Sequence, residues 1–178
     1  MIYVFLANGF EEIEAIAAID VLRRAELDVV TVGVPSSAVM GSHGLVVDCD
    51  IYVDMVEKEN CEMIVLPGGM PGTLNLAANS KVKEMIEYMN ENNRYIGAIC
   101  AAPSILGQMG LLDGKVATCF PGFEEEMGDA IVSKDSVCVD GNIITAKGAG
   151  VAVDFGLTLV SMFDERKSVS IRKAMQCK

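Results

Sequence analysis

The residue pattern best suited to chemistry is Gly97-Ala98-Ile99-Cys100-Ala101-Ala102-Pro103. It places a cysteine where an apolar run gives way to a helix start, with small residues, Ala98 and Ala102, at both positions two away. A nucleophile elbow has that pattern because its tight strand-to-helix turn crowds the flanking side chains together. A thiol there faces outward near a helix N-terminus, whose partial positive charge favours thiolate and is expected to lower the pKa. Leu66-Pro67-Gly68-Gly69-Met70-Pro71-Gly72 supplies a second part. Consecutive glycines let the backbone approach a ligand and aim N–H groups at it, as an oxyanion hole requires. The third part is acidic: Glu11, Glu12 and Glu14. Asn8 followed three positions later by Glu11 resembles a capping box, and acids suit a first helical turn, which accounts for Glu11 and Glu12. Glu14 falls beside the apolar stripe of the helix, so its carboxyl can turn inward. Burial there would raise its pKa and equip it to move protons near a thiol.

The rest of the composition narrows the chemistry. Six Cys stand against a single His, so mechanisms needing two histidines are excluded. No two cysteines lie closer than twelve positions, which leaves no C-x-x-C redox or zinc pair. Cys119, Cys138 and Cys177 read as packing residues. Gly148-Ala149-Gly150 lacks the last glycine of a dinucleotide fingerprint, Val153 standing there, and reads as a tight turn before a helix. Gly114-Lys115 lacks the first glycine of a phosphate loop. The sequence thus implies no metal and no cofactor. A net charge of −11 disfavours nucleic acid and anionic lipid as partners. The N-terminus has no basic region or cleavage site, and no apolar stretch approaches the about 20 residues that span a bilayer. Free thiols without a secretion signal predict a cytoplasmic protein.

These residues need a frame to hold them. At 178 residues the chain predicts one domain over 1–178. Apolar runs alternate with helical periods, the pattern of a parallel sheet covered on both faces. Strands are expected at 2–6, 29–33, 63–66, 95–99 and 117–119, with shorter ones over 46–53 and a hairpin over 137–146 about Asp140-Gly141. Helices are expected at 11–25, 82–90, 102–107, 151–162 and 165–175. In the first, Ile13, Ile16, Ala17, Val21 and Leu22 form one stripe. This is an α/β, flavodoxin-like arrangement, in which ligands sit beyond the carboxyl ends of the strands.

Gly9-Phe10-Glu11-Glu12-Ile13-Glu14, Asp20-Val21-Leu22-Arg23-Arg24, Leu66-Pro67-Gly68-Gly69, Ala98-Ile99-Cys100-Ala101-Ala102-Pro103 and Thr145-Ala146-Lys147-Gly148-Ala149-Gly150 resemble the ThiJ/PfpI superfamily. Within it they resemble the YajL-like branch that includes the human parkinsonism-associated deglycase. The resemblance runs in order along essentially the whole chain. It implies a class I glutamine-amidotransferase-like fold, a homodimer, a reactive Cys100 held at low pKa by hydrogen bonding to Glu14, and backbone donors at Gly69 and Ala101. Gly68, Phe120 and Arg24 are candidates to line the site. His43 falls where relatives carry an Arg near the site and reads either as part of that wall or, the preferred reading, as a residue of a surface loop. The intracellular-protease branch carries a His directly after the nucleophile; Ala101 stands there, which disfavours a Cys-His protease or amidase. Phe120-Pro121 stands where the human-type branch carries a His before a Pro.

The resemblance implies cofactor-free conversion of glyoxal or methylglyoxal to hydroxy acids, or repair of early glycation adducts, with a small aldehyde or glycated molecule as substrate. The alternative is a non-catalytic redox sensor or chaperone of oxidative stress, in which Cys100 oxidises to sulfinate. Thiazole monophosphate synthesis, another label the resemblance carries, finds no support in the residues. For dimer contact, the apolar face of residues 11–25 exceeds what one core face needs.

Overall fold

The computed structural model describes residues 1–177. Strand β1 (Ile2–Ala7) is buried along its whole length, so its side chains alternate between two cores. Tyr3, Phe5 and Ala7 join one apolar cluster, whereas Ile2, Val4 and Leu6 join the other. After β1 come α1 (Glu12–Arg24), β2 (Val29–Val34), β3 (Ala38–Met40), β4 (Val46–Asp48) and β5 (Ile51–Tyr52). Next are β6 (Met63–Leu66), α2 (Gly72–Ala78), α3 (Ser80–Glu91), β7 (Tyr95–Ile99) and α4 (Pro103–Gln108). The chain ends with β8 (Val116–Ala117), β9 (Ile131–Val132), β10 (Val137–Asp140), β11 (Ile143–Ala146), α5 (Ala152–Ser161) and α6 (Glu165–Ala174).

The main sheet has the order β10-β11-β7-β6-β1-β2-β5. All its neighbours pair in parallel except the β10–β11 hairpin. Within it β2-β1-β6-β7-β11 is the flavodoxin-like order, and the direction of winding reverses at β1 and β6. Helices α1, α5 and α6 contribute to the core on one face, and α2, α3 and α4 to the core on the other. Among the described residues no helix is long and apolar enough to cross a membrane.

Several expectations need correction. Residues 117–119 are not a central strand: β8 holds only Val116–Ala117 and pairs with β9 in a separate two-stranded sheet. The segment 46–53 is broken, with β4 pairing to the unforeseen β3 and β5 forming an edge of the main sheet. Helix α1 is capped by Glu11, whose carboxylate accepts from the Glu14 amide at 2.8 Å, while Asn8 accepts from the Met40 amide. Its inner face is Ala15, Ala18, Ile19, Val21 and Leu22; Ile13 and Ile16 point outward, 58% and 44% exposed. Small residues face inward because α5 crosses closely: a Cβ on Gly156 would lie 3.0 Å from Val21.

Candidate active site

Four chain turns meet beyond the carboxyl ends of β1, β6, β7 and β11, on and beside the point where the winding reverses. After β7, Cys100 has φ +66°, a left-handed conformation that L side chains rarely adopt. This is the elbow. Its N–H donates to the Ala146 carbonyl at 2.8 Å, and its carbonyl accepts from the Phe120 amide at 2.8 Å. Those two bonds hold the strained residue from both sides. Ala98 and Ala102 are fully buried beneath it.

After β1, the first turn of α1 carries Glu14, only 1% exposed. After β6, the Gly68 amide donates to Glu14 Oε2 at 2.8 Å, and the Gly68 carbonyl accepts from the Glu11 amide at 3.0 Å. A Cβ on Gly68 would sit 2.6 Å from Cys100 Cβ and 2.8 Å from Glu14 Oε2, so only glycine fits between acid and thiol. The other carboxyl oxygen, Oε1, is buried without a hydrogen-bond partner. Oε1 and the Cys100 Sγ lie 3.7 and 3.8 Å from the same point, the position of a Cβ on Gly148, and the Cys100 thiol and the Ala149 amide both act on the carboxyl.

Burial pushes Glu14 up to about 7, against the pull of the Cys100 thiol and the Gly68 amide. Burial, then the Glu14 charge, pushes the Cys100 thiol up to about 12, while the Gly69 and Ala101 amides pull it down. The expectation of a simply acidified thiol is therefore corrected: a half-buried sulfur beside a carboxylate resists ionising. The two values belong to one pair that gives up a first proton near neutrality and a second only in strong base. Once Glu14 carries the remaining proton, it no longer repels the thiolate and can donate to it. Cys49, Cys61 and Cys119 are pushed up to about 11, by burial first and then, for Cys49 and Cys119, by nearby Asp and Glu charges; unlike Cys100, none of them hydrogen-bonds a carboxyl group.

The expected site residues divide. Gly68, Gly69 and Ala101 surround the pair, and Phe120 borders it through Gly148. His43 does not join them: its Nδ1 turns to Glu12 Oε2 at 2.8 Å and its side chain is 71% exposed. Buried Glu12 also accepts from the His43 amide at 2.7 Å and the Ser42 hydroxyl at 3.2 Å, so it anchors that loop on α1. Burial works against the Glu12 carboxylate, but the His43 ring and amide hold it down at about 2. Glu11, Glu12 and His43 bring ligand-type atoms within 4.8 Å of one another, with Glu11 and Glu12 occupied by the cap and loop bonds. Arg24 is also misplaced by the expectation. It pairs with Asp20 at 2.7 Å in the last turn of α1, about 15 Å along the axis from Glu14. The residues overlooked are Gly148 and Ala149; the turn that reads as ordinary for lack of a third glycine forms a wall of the thiol's site.

Residues 1–162 match the DJ-1/PfpI family. The chain belongs to that family. Among DJ-1 relatives, DJ-1 homolog B of Arabidopsis thaliana is 39% identical over 97% of this chain but only 40% of its own length. The Parkinson disease protein 7 homolog of Danio rerio is 35% identical over 88% of this chain and 86% of its own. The chain thus spans less than half of the plant relative and most of the fish one. Oxidized Toxoplasma gondii DJ-1 superposes with a TM-score of 0.94 at 32% identity, covering 98% of this chain and 97% of that one. More distant DJ-1/PfpI relatives carry activity names. One is a glutathione-independent glyoxalase of Caenorhabditis elegans, 32% identical over 86% of this chain and 83% of its own length. Another is a deglycase of Pyrococcus abyssi, 29% identical over 84% and 90%.

Proposed function

We propose that this protein is a cysteine-dependent glyoxalase or deglycase that converts 2-oxoaldehydes, or the adducts they form, to 2-hydroxy acids without a cofactor. The observation that carries the reading is the buried Glu14 carboxyl, with Oε2 tied to Gly68 and Oε1 left for the thiol of a strained elbow Cys100. The activity names of the worm and archaeal relatives agree with it.

The chemistry follows from who holds the proton. The Cys100 thiolate attacks the aldehyde carbon of methylglyoxal, and the new alkoxide sits among the Gly69 and Ala101 amides and takes the proton held by Glu14, which is left as the carboxylate. The product is a hemithioacetal. Glu14, as carboxylate, removes the proton on that carbon to give an enediol and returns it to the neighbouring carbon, leaving a thioester of the hydroxy acid. Water cleaves the thioester, releasing lactate and the Cys100 thiol. The aldehyde carbon is oxidised and the ketone carbon reduced within one molecule, so no outside redox partner enters.

The same reading takes a cytoplasmic setting, in keeping with six free thiols, and a homodimer. The outward Ile13 and Ile16, with Leu45, Val153 and Met175, form an apolar groove that a second copy would cover. Incubating the pure protein with methylglyoxal and measuring lactate tests the function. Lactate should form, and Cys100→Ser should abolish it. Equal activity in that variant would overturn the reading.

A further inference from the structure

The groups used by the proposed reaction converge on a place that has no side chain. A Cβ on Gly148 would lie 3.2 Å from Cδ2 of Phe120, 3.7 Å from Oε1 of Glu14 and 3.8 Å from Sγ of Cys100. Ring, acid and thiol therefore border one space over the Gly148 backbone. An open pocket of about 290 Å³ adjoins it, walled by Phe120, Pro121 and the 147–151 turn. A cavity of roughly 150 Å³ accepts benzene, so room for a phenyl group is present.

The wall has a definite chemistry. Phe120 is positioned by the elbow itself, because its amide donates to the Cys100 carbonyl at 2.8 Å, and its side chain stands 47% exposed. The remaining lining is proline, glycine, alanine and valine, plus Lys147. The Lys147 ammonium, the one charge in the lining, donates to the Lys134 carbonyl. Such a surface favours an apolar group and gives an anionic one little in exchange for its hydration.

We propose that this pocket receives the substituent of the substrate and that Phe120 sets its specificity. The preferred substrates are 2-oxoaldehydes R–CO–CHO with apolar R, from methyl to phenyl, over glyoxal, where R is hydrogen. The inference rests on the glyoxalase reading, since addition of the aldehyde carbon to Cys100 is what directs R toward Phe120. Each buried methyl or methylene is worth about fourfold in kcat/KM, and an aromatic ring packed on Phe120 up to about tenfold more.

The test compares glyoxal, methylglyoxal and phenylglyoxal in the native protein, Phe120→Ala and Phe120→Leu. Phe120→Ala should lower kcat/KM for phenylglyoxal about tenfold relative to glyoxal, while Phe120→Leu retains most of the preference. A second readout needs no turnover: the rate of Cys100 alkylation by phenacyl bromide relative to iodoacetamide, with the modified residue located by mass spectrometry. That ratio should fall about tenfold in Phe120→Ala. Equal losses for all three aldehydes, or an unchanged alkylation ratio, would overturn the subsite. A falling ratio without turnover of any aldehyde would instead uphold the apolar subsite and overturn the glyoxalase reading.

Discussion

Replacing Glu14 by Gln removes the titrating group while keeping an oxygen for the Gly68 amide. Burial holds the native carboxyl at about 7, against 4.5 for the same group in water. A folded-state pKa above the unfolded one means that folding tightens proton binding. The resulting stability is full below pH 4.5 and is lost as pH rises through about 7. At ~1.4 kcal/mol per tenfold the whole difference is about 3 kcal/mol, of which about 2 kcal/mol is lost between pH 5.5 and 8.5. Urea unfolding of both proteins at steps across that interval reads the difference. The native protein should lose about 2 kcal/mol more than Glu14→Gln, the His43–Glu12 pair being common to both and cancelling. Parallel curves for the two proteins would refute the reasoning.

Gly68→Ala should cost about 2 kcal/mol or more in thermal or urea unfolding, because its Cβ would meet Cys100 Cβ at 2.6 Å and neither neighbour is free to move. Glu12→Ala should cost about 2 kcal/mol by removing a buried, charge-assisted anchor, and should speed hydrogen exchange at the His43 and Leu45 amides. With its folded pKa held at about 2, Glu12 contributes stability that is present above pH 4.5 and lost as pH falls through 2, so acid unfolding should shift to higher pH in the variant. Ile16→Asp, at an outward position of α1, should leave the fold intact; if the proposed homodimer forms through this face, sedimentation should find the native protein dimeric and the variant monomeric.

The elbow was legible because its signal is local: Cys100 between Ala98 and Ala102 reports a crowded turn without reference to any other strand. The parallel strands were legible for the same reason, as continuous apolar runs. What failed depends on distant partners. Periodicity registers Ile13 and Ile16 as apolar, but the face of α1 that packs inward is set by the close crossing of α5, which admits Ala15 and Ala18 instead. Glu12 reads as a first-turn acid, and only the return of loop 41–45 makes it a buried anchor. The Cys100 pKa direction was inverted because a helix terminus can be read from sequence, whereas burial beside Glu14 cannot. Gly148 carries no motif beyond its family block, and its role appears only when β11 ends next to β7.

The central claim is that Cys100 and Glu14 share one proton at neutral pH. The pH dependence of Cys100 alkylation by iodoacetamide, in native protein and in Glu14→Gln, tests it most directly. The native rate should rise through an inflection near pH 7, as the pair gives up its first proton, and then stay level into strong base; the variant should lack that inflection. Superimposable profiles, or a native rate that rises only above pH 9 as for an isolated thiol, would contradict it.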